Sequence, residues 1–305
     1  MTGAQIAARA ARQDSVIPSA TGRQRFADVA FRGLLLGAVG FGVLALGVLL
    51  YDVAVDGLPK LSTGFLTKFP SRIIPANSGV QSALVGTLYL MAITTVFVVP
   101  LGVASAVYLE QYADRNRLWN RLIEVNIQNL AAVPSVVYGI LGLAFLVRGP
   151  LSMGTTVLAG GLTLGLLVLP VLIVAAREAI RAVPPSIRDG SLALGATQWQ
   201  TIWRQVLPSS VPGIATGVIL ALSRAIGETA PLIVVGAATF VAFDPDLFSQ
   251  FTALPIQIFD WISRASNDIN DYRPLAAAGI LLLMILLLAM NSVAIWLRNR
   301  YEQKW

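Results

Sequence analysis

Long apolar runs separated by short polar segments dominate the pattern of this chain. A run of roughly 20 apolar residues is needed to cross a hydrocarbon core about 30 Å thick. Six runs reach that length: Gly33–Tyr51, Ser82–Leu109, Ile127–Val147, Gly154–Ala176, Pro208–Ala242 and Pro274–Leu297. The fifth run is too long for one straight helix, and we expect it to end near Pro231, with a broken or re-entrant piece after it. The pattern predicts an all-α integral membrane protein with six transmembrane helices.

The composition supports this assignment and removes several kinds of chemistry. Of the 305 residues, 56% are hydrophobic and only 12% are charged, whereas soluble domains contain about a quarter charged residues. The chain contains no cysteine and no histidine, which excludes disulfides, thiolate or imidazole metal sites and Ser-His or Cys-His nucleophiles. It also lacks a G-x-x-x-x-G-K-[ST] stretch, so it has no phosphate-binding P-loop of its own. We therefore expect no cofactor in this chain.

The distribution of basic residues predicts the orientation in the membrane. With the N-terminus in the cytoplasm, 15 of the 22 Lys and Arg residues fall on the inner side, six fall outside, and Arg224 lies within a span. This satisfies the positive-inside rule and predicts that both termini are cytoplasmic. The net charge of +6 is thereby explained without a nucleic-acid partner. We expect residues 1–32 to form a cytoplasmic tail and residues 33–305 the transmembrane domain.

Glycine pairs within the runs add a weaker signal. Gly161 and Gly165 have the spacing that permits close helix contact. Glycine is common in membrane helices, so the spacing by itself indicates only where two helices could approach.

The cytoplasmic loop over residues 177–207 reads REAIRAVPPSIRDGSLALGATQWQTIWRQVL. Ser186 with Asp189 has the form of a capping box and predicts a short helix that Gly195 closes in the left-handed conformation. Thr197 with Gln200 repeats the box and predicts a second helix, which runs to a break at Pro208.

Helices this short are unstable alone. The first of them carries Leu192 and Leu194, and Trp199 follows. It could insert these side chains into a groove of a partner protein, or it could be an amphipathic connector on the membrane surface. The capping pattern leaves both interpretations open.

Two full charges stand inside the fifth run, in the stretch LSRAIGETAPL. Burying a lone arginine at mid-bilayer costs at least about 2.5–3.5 kcal/mol. Arg224 and Glu228 are four residues apart, a spacing that puts both on one helix face, where they can pair. A structural ion pair between helices is one interpretation, but such a pair often fails to offset its desolvation. A charge at membrane depth is by default a functional candidate, and we favour that hypothesis.

The cytoplasmic loop resembles the motif of ABC importer permeases written EAA, three residues, G, nine residues, I-x-L-P. Asp189-Gly190-Ser191 stands in place of EAA, Gly195 is the glycine, and Gln205 to Pro208 ends the motif, so the spacing matches better than the letters. In that family the motif forms a coupling helix that inserts into the ATP-hydrolysing subunit. The resemblance implies that this chain docks an ATPase through Ser186, Asp189, Gly190, Ser191, Leu192, Leu194 and Gly195.

Further stretches resemble the phosphate importer permeases, of the PstA type more than the PstC type. They are PLGVASAVYLEQYA, AAVPSVVYGILGL, LALGATQWQTI and LSRAIGETAPL, and the resemblance extends from about residue 75 to residue 297. It implies the fold of a type I ABC importer permease (MetI-like) in the bacterial inner membrane. The implied partners are a second permease of PstC type, two ATP-binding subunits of PstB type and a phosphate-binding protein of PstS type. ATP and magnesium would bind to the partner ATPase.

In such a permease, Arg224 would bind the phosphate, because a guanidinium offers planar, paired donors that stay protonated. Glu228 would moderate the charge so that the anion can leave, and Ser223 and Thr229 would supply neutral hydroxyls. Those hydroxyls could equally bond to the preceding helical turn. Some phosphate permeases carry a second arginine in the fourth span, where this chain has Val174, with Arg177 a turn further on.

Other functions remain open at this level. An arginine suits any oxyanion, so sulfate, molybdate and phosphonate are alternatives to phosphate. A stand-alone channel or secondary transporter is a further alternative, although the chain shows no detectable inverted repeat. A membrane-bound enzyme is disfavoured, because the chain lacks histidine and cysteine and has few acids inside its spans.

Overall fold

The computed structural model describes residues 22–114, 117–264 and 271–300, and the regular elements in that part of the chain are helices. The chain divides into two compact units, residues 1–52 and residues 53–305. The described part of the first unit belongs to one long helix whose side chains are largely exposed. The second unit holds the remaining helices and the apolar core.

The helices in chain order are α1 Gly22–Gly57, α2 Thr63–Thr67, α3 Gln81–Val107, α4 Leu118–Ala131, α5 Ser135–Leu141, α6 Val157–Arg181, α7 Pro185–Ala193, α8 Gln198–Thr201, α9 Leu207–Ile226, α10 Ala230–Val235, α11 Leu254–Ser263 and α12 Arg273–Arg300. Three of them continue directly into wider π turns. These are Tyr108–Tyr112 after α3, Gly142–Val147 after α5 and Ile202–Val206 after α8. Short 3₁₀ turns at Leu58–Lys60 and Pro75–Asn77 flank α2.

Among the described residues, five stretches are long and apolar enough to cross a membrane: α1, α3, α6, α12 and the continuous stretch Gln198–Ile226. The bent pair α4–α5 makes a sixth if it counts as one span. This confirms the prediction of an all-α membrane-spanning protein, with five or six candidate spans in the described residues. The cytoplasmic placement of the termini stays a prediction. The first helix begins at Gly22, so residues 22–32 of the predicted tail are helical, while residues 1–21 lie outside the described residues.

The predicted third span, Ile127–Val147, is not one straight helix. Helix α4 ends at Ala131, α5 begins at Ser135, and the two are bent by 109°. Pro134 stands at the bend. It lacks a backbone N–H, and it disfavours helical geometry for the residue before it.

The fifth span breaks slightly earlier than predicted. Helix α9 ends at Ile226, and Pro231 lies in the first turn of α10. A backbone N–H in the first turn has no acceptor within the helix, so proline costs no hydrogen bond there. Further along the chain, Phe251 and Ile256 are fully buried in one apolar cluster with Leu90 of α3 and Leu164 of α6. The predicted break is therefore confirmed, with the short helix α10 following it; that this piece is re-entrant stays a prediction.

The predicted break at Pro208 is wrong, because the helix runs from Gln198 to Ile226 without interruption. Pro208 has no N–H to donate to the preceding turn. The π turn Ile202–Val206 lies just before it, and there the Leu207 N–H donates to the Ile202 carbonyl five residues back. A widened turn of this kind lets a helix continue past a missing donor.

Helix α6 is the central helix of the second unit, with 67% of its apolar stretch buried. It packs between α3 and α9. A methyl group added at Gly161 or Gly165 would come within 2.7 Å of Ile93 or 2.5 Å of Phe97. The close helix contact predicted at this glycine pair is confirmed, and α3 is the neighbour.

Candidate functional site

The charged pair of the fifth span lies where α9 ends and α10 begins. Arg224 Nε donates to Glu228 Oε1 at 3.4 Å. The two residues do not share a helix face as predicted, because α9 ends at Ile226 and Glu228 follows the turn at Gly227. The pair forms across this helix end. Its side chains are 38% and 19% exposed, so the guanidinium faces away from the core of this chain.

The packing of α9 on α6 sets the depth of this pair. The helices run antiparallel, with Gly213 against Ala179 and Gly217 against Ala175. Continuing this one-for-one register places Arg224 level with Val168, which is the middle of α6. Because α6 is a candidate span, the arginine lies near half the depth of the transmembrane region.

Helix α5 forms the neighbouring wall of the candidate site. An added methyl group at Gly139 in α5 would come within 2.8 Å of the Pro231 backbone, so α5 and α10 are in close contact. The Tyr138 ring is buried among α6 and α9 residues, and its hydroxyl donates to the Leu130 carbonyl at 2.8 Å. Gly227 is exposed and has open space beside it, as the passage of an ion would require.

The two predicted hydroxyl donors occupy different settings. Ser223 Oγ donates to Asn291 Oδ1 of α12 at 3.0 Å, which links two membrane-crossing helices. Thr229 precedes α10 and is half-buried, and its hydroxyl does not cap that helix. Asn291 was missed from the sequence, because nothing in the spacing connects it to a residue 68 positions away.

The predicted docking residues form an exposed short helix and its C-terminal turn. Helix α7 runs from Pro185 to Ala193 and begins with Pro184 as its N-cap, so the capping box predicted for Ser186 and Asp189 is wrong. Two prolines already fix the backbone at this helix start, which puts Ser186 inside the first turn. Ser186, Asp189, Gly190 and Leu192 are exposed on this helix, and Ser191 is half-buried, with its hydroxyl 2.9 Å from that of Thr201.

The turn after α7 follows the predicted pattern. Gly195 has a φ of +84°, the left-handed conformation that glycine adopts without strain. The predicted capping box of Thr197 and Gln200 is present, with both reciprocal hydrogen bonds. Leu194 is 91% exposed. A large apolar side chain held out from a rigid turn is typical of a contact surface.

A second group of charges, which was not predicted from the sequence, lies at the C-terminal end of α6. We call it the buried cluster after its two buried members, Arg177 and Glu110, and define it as Glu110, Glu124, Arg177, Glu178 and Arg181. The Glu124, Arg181 and Glu178 side chains are 38%, 43% and 63% exposed. Arg177 Nη2 lies 3.1 Å from Glu124 and 3.6 Å from Glu110, and Arg181 Nη2 lies 3.1 Å from Glu110. The Arg177 and Glu110 side chains are only 7% and 5% exposed. Arg177 is thus fixed by two carboxylates of this chain.

Comparisons with known proteins define the class of this chain. The family model described as binding-protein-dependent transport system inner membrane component matches residues 98–304. The chain is 32% identical over 264 residues to the probable ABC transporter permease protein YqgI of Bacillus subtilis, covering 83% of this chain and 88% of that protein. It is 34% identical over 239 residues to the phosphate transport system permease protein PstA 1 of Mycobacterium tuberculosis, covering 77% and 76%.

Among solved structures, the fold is similar to a chain of a bacterial alginate ABC transporter in complex with an alginate-bound periplasmic protein. The TM-score is 0.67, with 16% identity, over 90% of this chain and 95% of that chain. These findings define a multi-pass membrane permease with the fold of an ABC importer subunit. The chain belongs to the family of binding-protein-dependent transport system inner membrane components.

Membership in this family narrows the functions left open by the sequence. The chain is a transport subunit, and separate ATPase subunits hydrolyse the ATP. It works together with other components of an ABC importer, including an ATPase and a binding protein. A stand-alone secondary transporter and a membrane-bound enzyme do not fit this family.

Proposed function

We propose that this chain is one of two transmembrane subunits of an ATP-driven importer of inorganic phosphate in the bacterial inner membrane. The relatives named as phosphate transport permeases support the substrate. The observation that carries the proposal is the position of Arg224, a partly exposed guanidinium level with the middle of α6 and paired with one carboxylate. A charge in this position needs a ligand or a partner.

The chemistry of the pair suits an anion that must bind and then leave. Phosphate near neutral pH is a mixture of mono- and dianion, and the guanidinium of Arg224 offers it paired, charge-assisted hydrogen bonds. Glu228 offsets part of the positive charge and so limits the affinity, because a site that binds too tightly does not conduct. Thr229 stands next to Glu228 as a neutral donor. The hydroxyl of Ser223 is already engaged by Asn291.

The partners follow from the two exposed surfaces of the chain. A second permease of PstC type closes the passage on the side to which Arg224 is exposed. One of two ATPases of PstB type, which bind ATP and magnesium, docks on residues 186–198 with Leu194 as an apolar anchor. A phosphate-binding protein of PstS type delivers the ion to the outer loops. Closure of the ATPases moves the docking segment and reorients the helices between outward- and inward-facing states.

The test is uptake into proteoliposomes that contain the co-purified complex, with phosphate compared against sulfate. Replacing Arg224 with glutamine (Arg224→Gln) should lower phosphate uptake at least about 100-fold, the loss typical of removing a charged group that binds a reacting or moving anion. The matched control is Arg148→Gln, an exposed arginine on an outer loop. Co-purification of the ATPase reports that both variants assemble.

The possible results separate the alternatives. Phosphate uptake that is lost in Arg224→Gln and retained in Arg148→Gln supports both the substrate and the site. Uptake of sulfate in place of phosphate would keep the architecture and overturn the substrate. Phosphate uptake that survives Arg224→Gln near the wild-type rate would overturn the pathway assignment.

A further inference from the structure

The buried cluster is positioned where the docking segment joins the transmembrane helices. Arg177 and Arg181 lie on the last turns of α6, and the docking helix α7 begins four residues after Arg181. Their shared partner Glu110 lies in the π turn Tyr108–Tyr112 that ends α3. The cluster therefore ties the α6 side of the docking segment to the inner end of α3.

The other side of the docking segment is attached to the same π turn. Gln198, the first residue of α8, donates from its side-chain amide to the Gln111 carbonyl at 2.7 Å. Gln111 is the neighbour of Glu110. Both ends of the segment that would dock the ATPase are thus held by polar contacts to two consecutive residues of α3's terminal turn.

The space between these attachments is incompletely packed. A cavity of about 210 Å³ lies under the π turn and is lined by Glu110, Arg181, Pro184 and Arg188, among others. The polar contacts that reach this π turn come from Arg181 before α7 and from Gln198 after it. Such contacts are directional, and they hold two elements in a defined relative position.

The burial of the cluster also needs an explanation beyond stability. Removing charged groups from water costs several kcal/mol per ion in general, and an apolar replacement of a buried ion pair is often as stable or more stable. Glu110 and Arg177 are nevertheless almost fully buried. Helix α3, to which they connect the docking segment, packs along α6 through most of the membrane.

We propose that Arg177 is a positioning residue for transport: bound between Glu110 and Glu124, it transmits movement of the docking segment to α3 and α4. Arg177 does not touch the transported ion. It acts by keeping the inner ends of α3, α4 and α6 together while the docking segment moves. The inference deepens the proposed function and depends on this chain working in an ATP-driven complex.

The first experiment measures the number of phosphate ions transported per ATP hydrolysed by the full complex in proteoliposomes. Arg177→Gln should lower this ratio about tenfold while the ATPase still co-purifies. Arg177→Lys keeps one positive charge between the two carboxylates and should restore the ratio to within about threefold. Arg117→Gln is the matched control, because it removes an arginine of an exposed pair with Asp114 on the same side, where such pairs contribute little.

A second readout does not depend on the substrate. The chain has no cysteine, so cysteines introduced at Leu88 in α3 and Val293 in α12, both exposed, carry the only spin labels in this subunit. ATP should change the distance between the labels in the wild-type background and should leave it unchanged with Arg177→Gln. This result is expected even if the wild-type complex imports an oxyanion other than phosphate. Import of another oxyanion would contradict the proposed function and leave the role of Arg177 standing.

Two results would overturn the inference. One is a wild-type ratio and a wild-type label shift in assembled Arg177→Gln. The other applies if Arg177→Gln does not assemble. The double variant Glu110→Gln/Arg177→Gln, which removes both buried charges, is then measured in its place. Failure of that variant to assemble, or its return to a wild-type ratio, would mean that the cluster serves folding and not transmission.

Discussion

Arg224 of α9 pairs with Glu228 just beyond the end of that helix, and Arg177 of α6 pairs with Glu110 and Glu124. Both arginines belong to candidate membrane-crossing helices, yet their surroundings differ. Arg224 has one carboxylate partner at 3.4 Å and a side chain that is 38% exposed. Arg177 has two carboxylate partners and is 7% exposed. The first guanidinium keeps donors available for a ligand, and the second has its charge balanced by the protein itself.

The difference indicates how to distinguish an arginine that could bind a ligand from one that is held by its own chain. Arg224 is level with the middle of α6, whereas Arg177 lies in the last turns of that helix. Desolvation penalises both residues. At Arg177 the chain compensates this cost internally. At Arg224 the compensation is partial, which leaves room for an anion or for the surface of a second permease. The number of carboxylate partners and the exposure of the guanidinium therefore carry more information than the presence of a charge in an apolar run.

The largest expected contrast between the two arginines is in stability. Arg177→Met takes one arginine partner away from buried Glu110, and it should destabilise the complex by about 3 kcal/mol, or lower its melting midpoint by roughly 6 °C. Arg224→Met should cost less than about 1 kcal/mol, because its pair is partly exposed. Thermal melting of the purified complex compares them. Equal shifts for the two variants would contradict this difference between the two arginines.

A smaller effect is expected from the carboxylate of the open pair. Glu228→Gln removes the charge that limits anion affinity, so phosphate should bind more tightly, with a lower KM and a turnover reduced about tenfold. Initial rates of uptake over a range of phosphate concentrations measure both quantities. Asp246→Asn, at an exposed aspartate, controls for the loss of one negative charge. An unchanged turnover would contradict the moderating role of Glu228.

The smallest effect is expected at the residue beside Arg224. Ser223→Ala deletes the hydrogen bond to Asn291 and should cost about 1 kcal/mol of stability, while phosphate uptake stays within about twofold of wild type. Melting and uptake measured on the same preparation test this. A large loss of uptake without a loss of stability would place Ser223 in the passage after all.

The helical spans could be predicted from the sequence because their signal is local. Twenty consecutive apolar residues suffice to identify a span, and the left-handed Gly195 and the Thr197–Gln200 capping box are also defined by neighbouring residues. The bend at Pro134 and the continuity through Pro208 could not be distinguished in this way. Pro134 lies inside an apolar run and Pro208 at the start of one, and the outcome depends on whether a π turn or a change of direction absorbs the missing donor.

The candidate site shows the same limit. The pairing of Arg224 with Glu228 could be predicted from a spacing of four, even though the helix ends between them. Arg177 pairs with Glu124 across 53 positions, and Ser223 pairs with Asn291 across 68. Contacts between distant helices depend on how those helices pack, and no periodicity within one segment specifies that arrangement.

The unbroken helix from Gln198 to Ile226 connects the docking segment to the Arg224–Glu228 pair. Its 29 residues form a rod about 43 Å long, with a hydrogen bond to α3's terminal turn at one end and Arg224 within the last turn at the other. If such a rod tilts by about 10° around one end, the other end travels through an arc of about 7 Å, more than one helical turn. A modest rotation at the Gln198 end would thus displace the Arg224 guanidinium by about 7 Å.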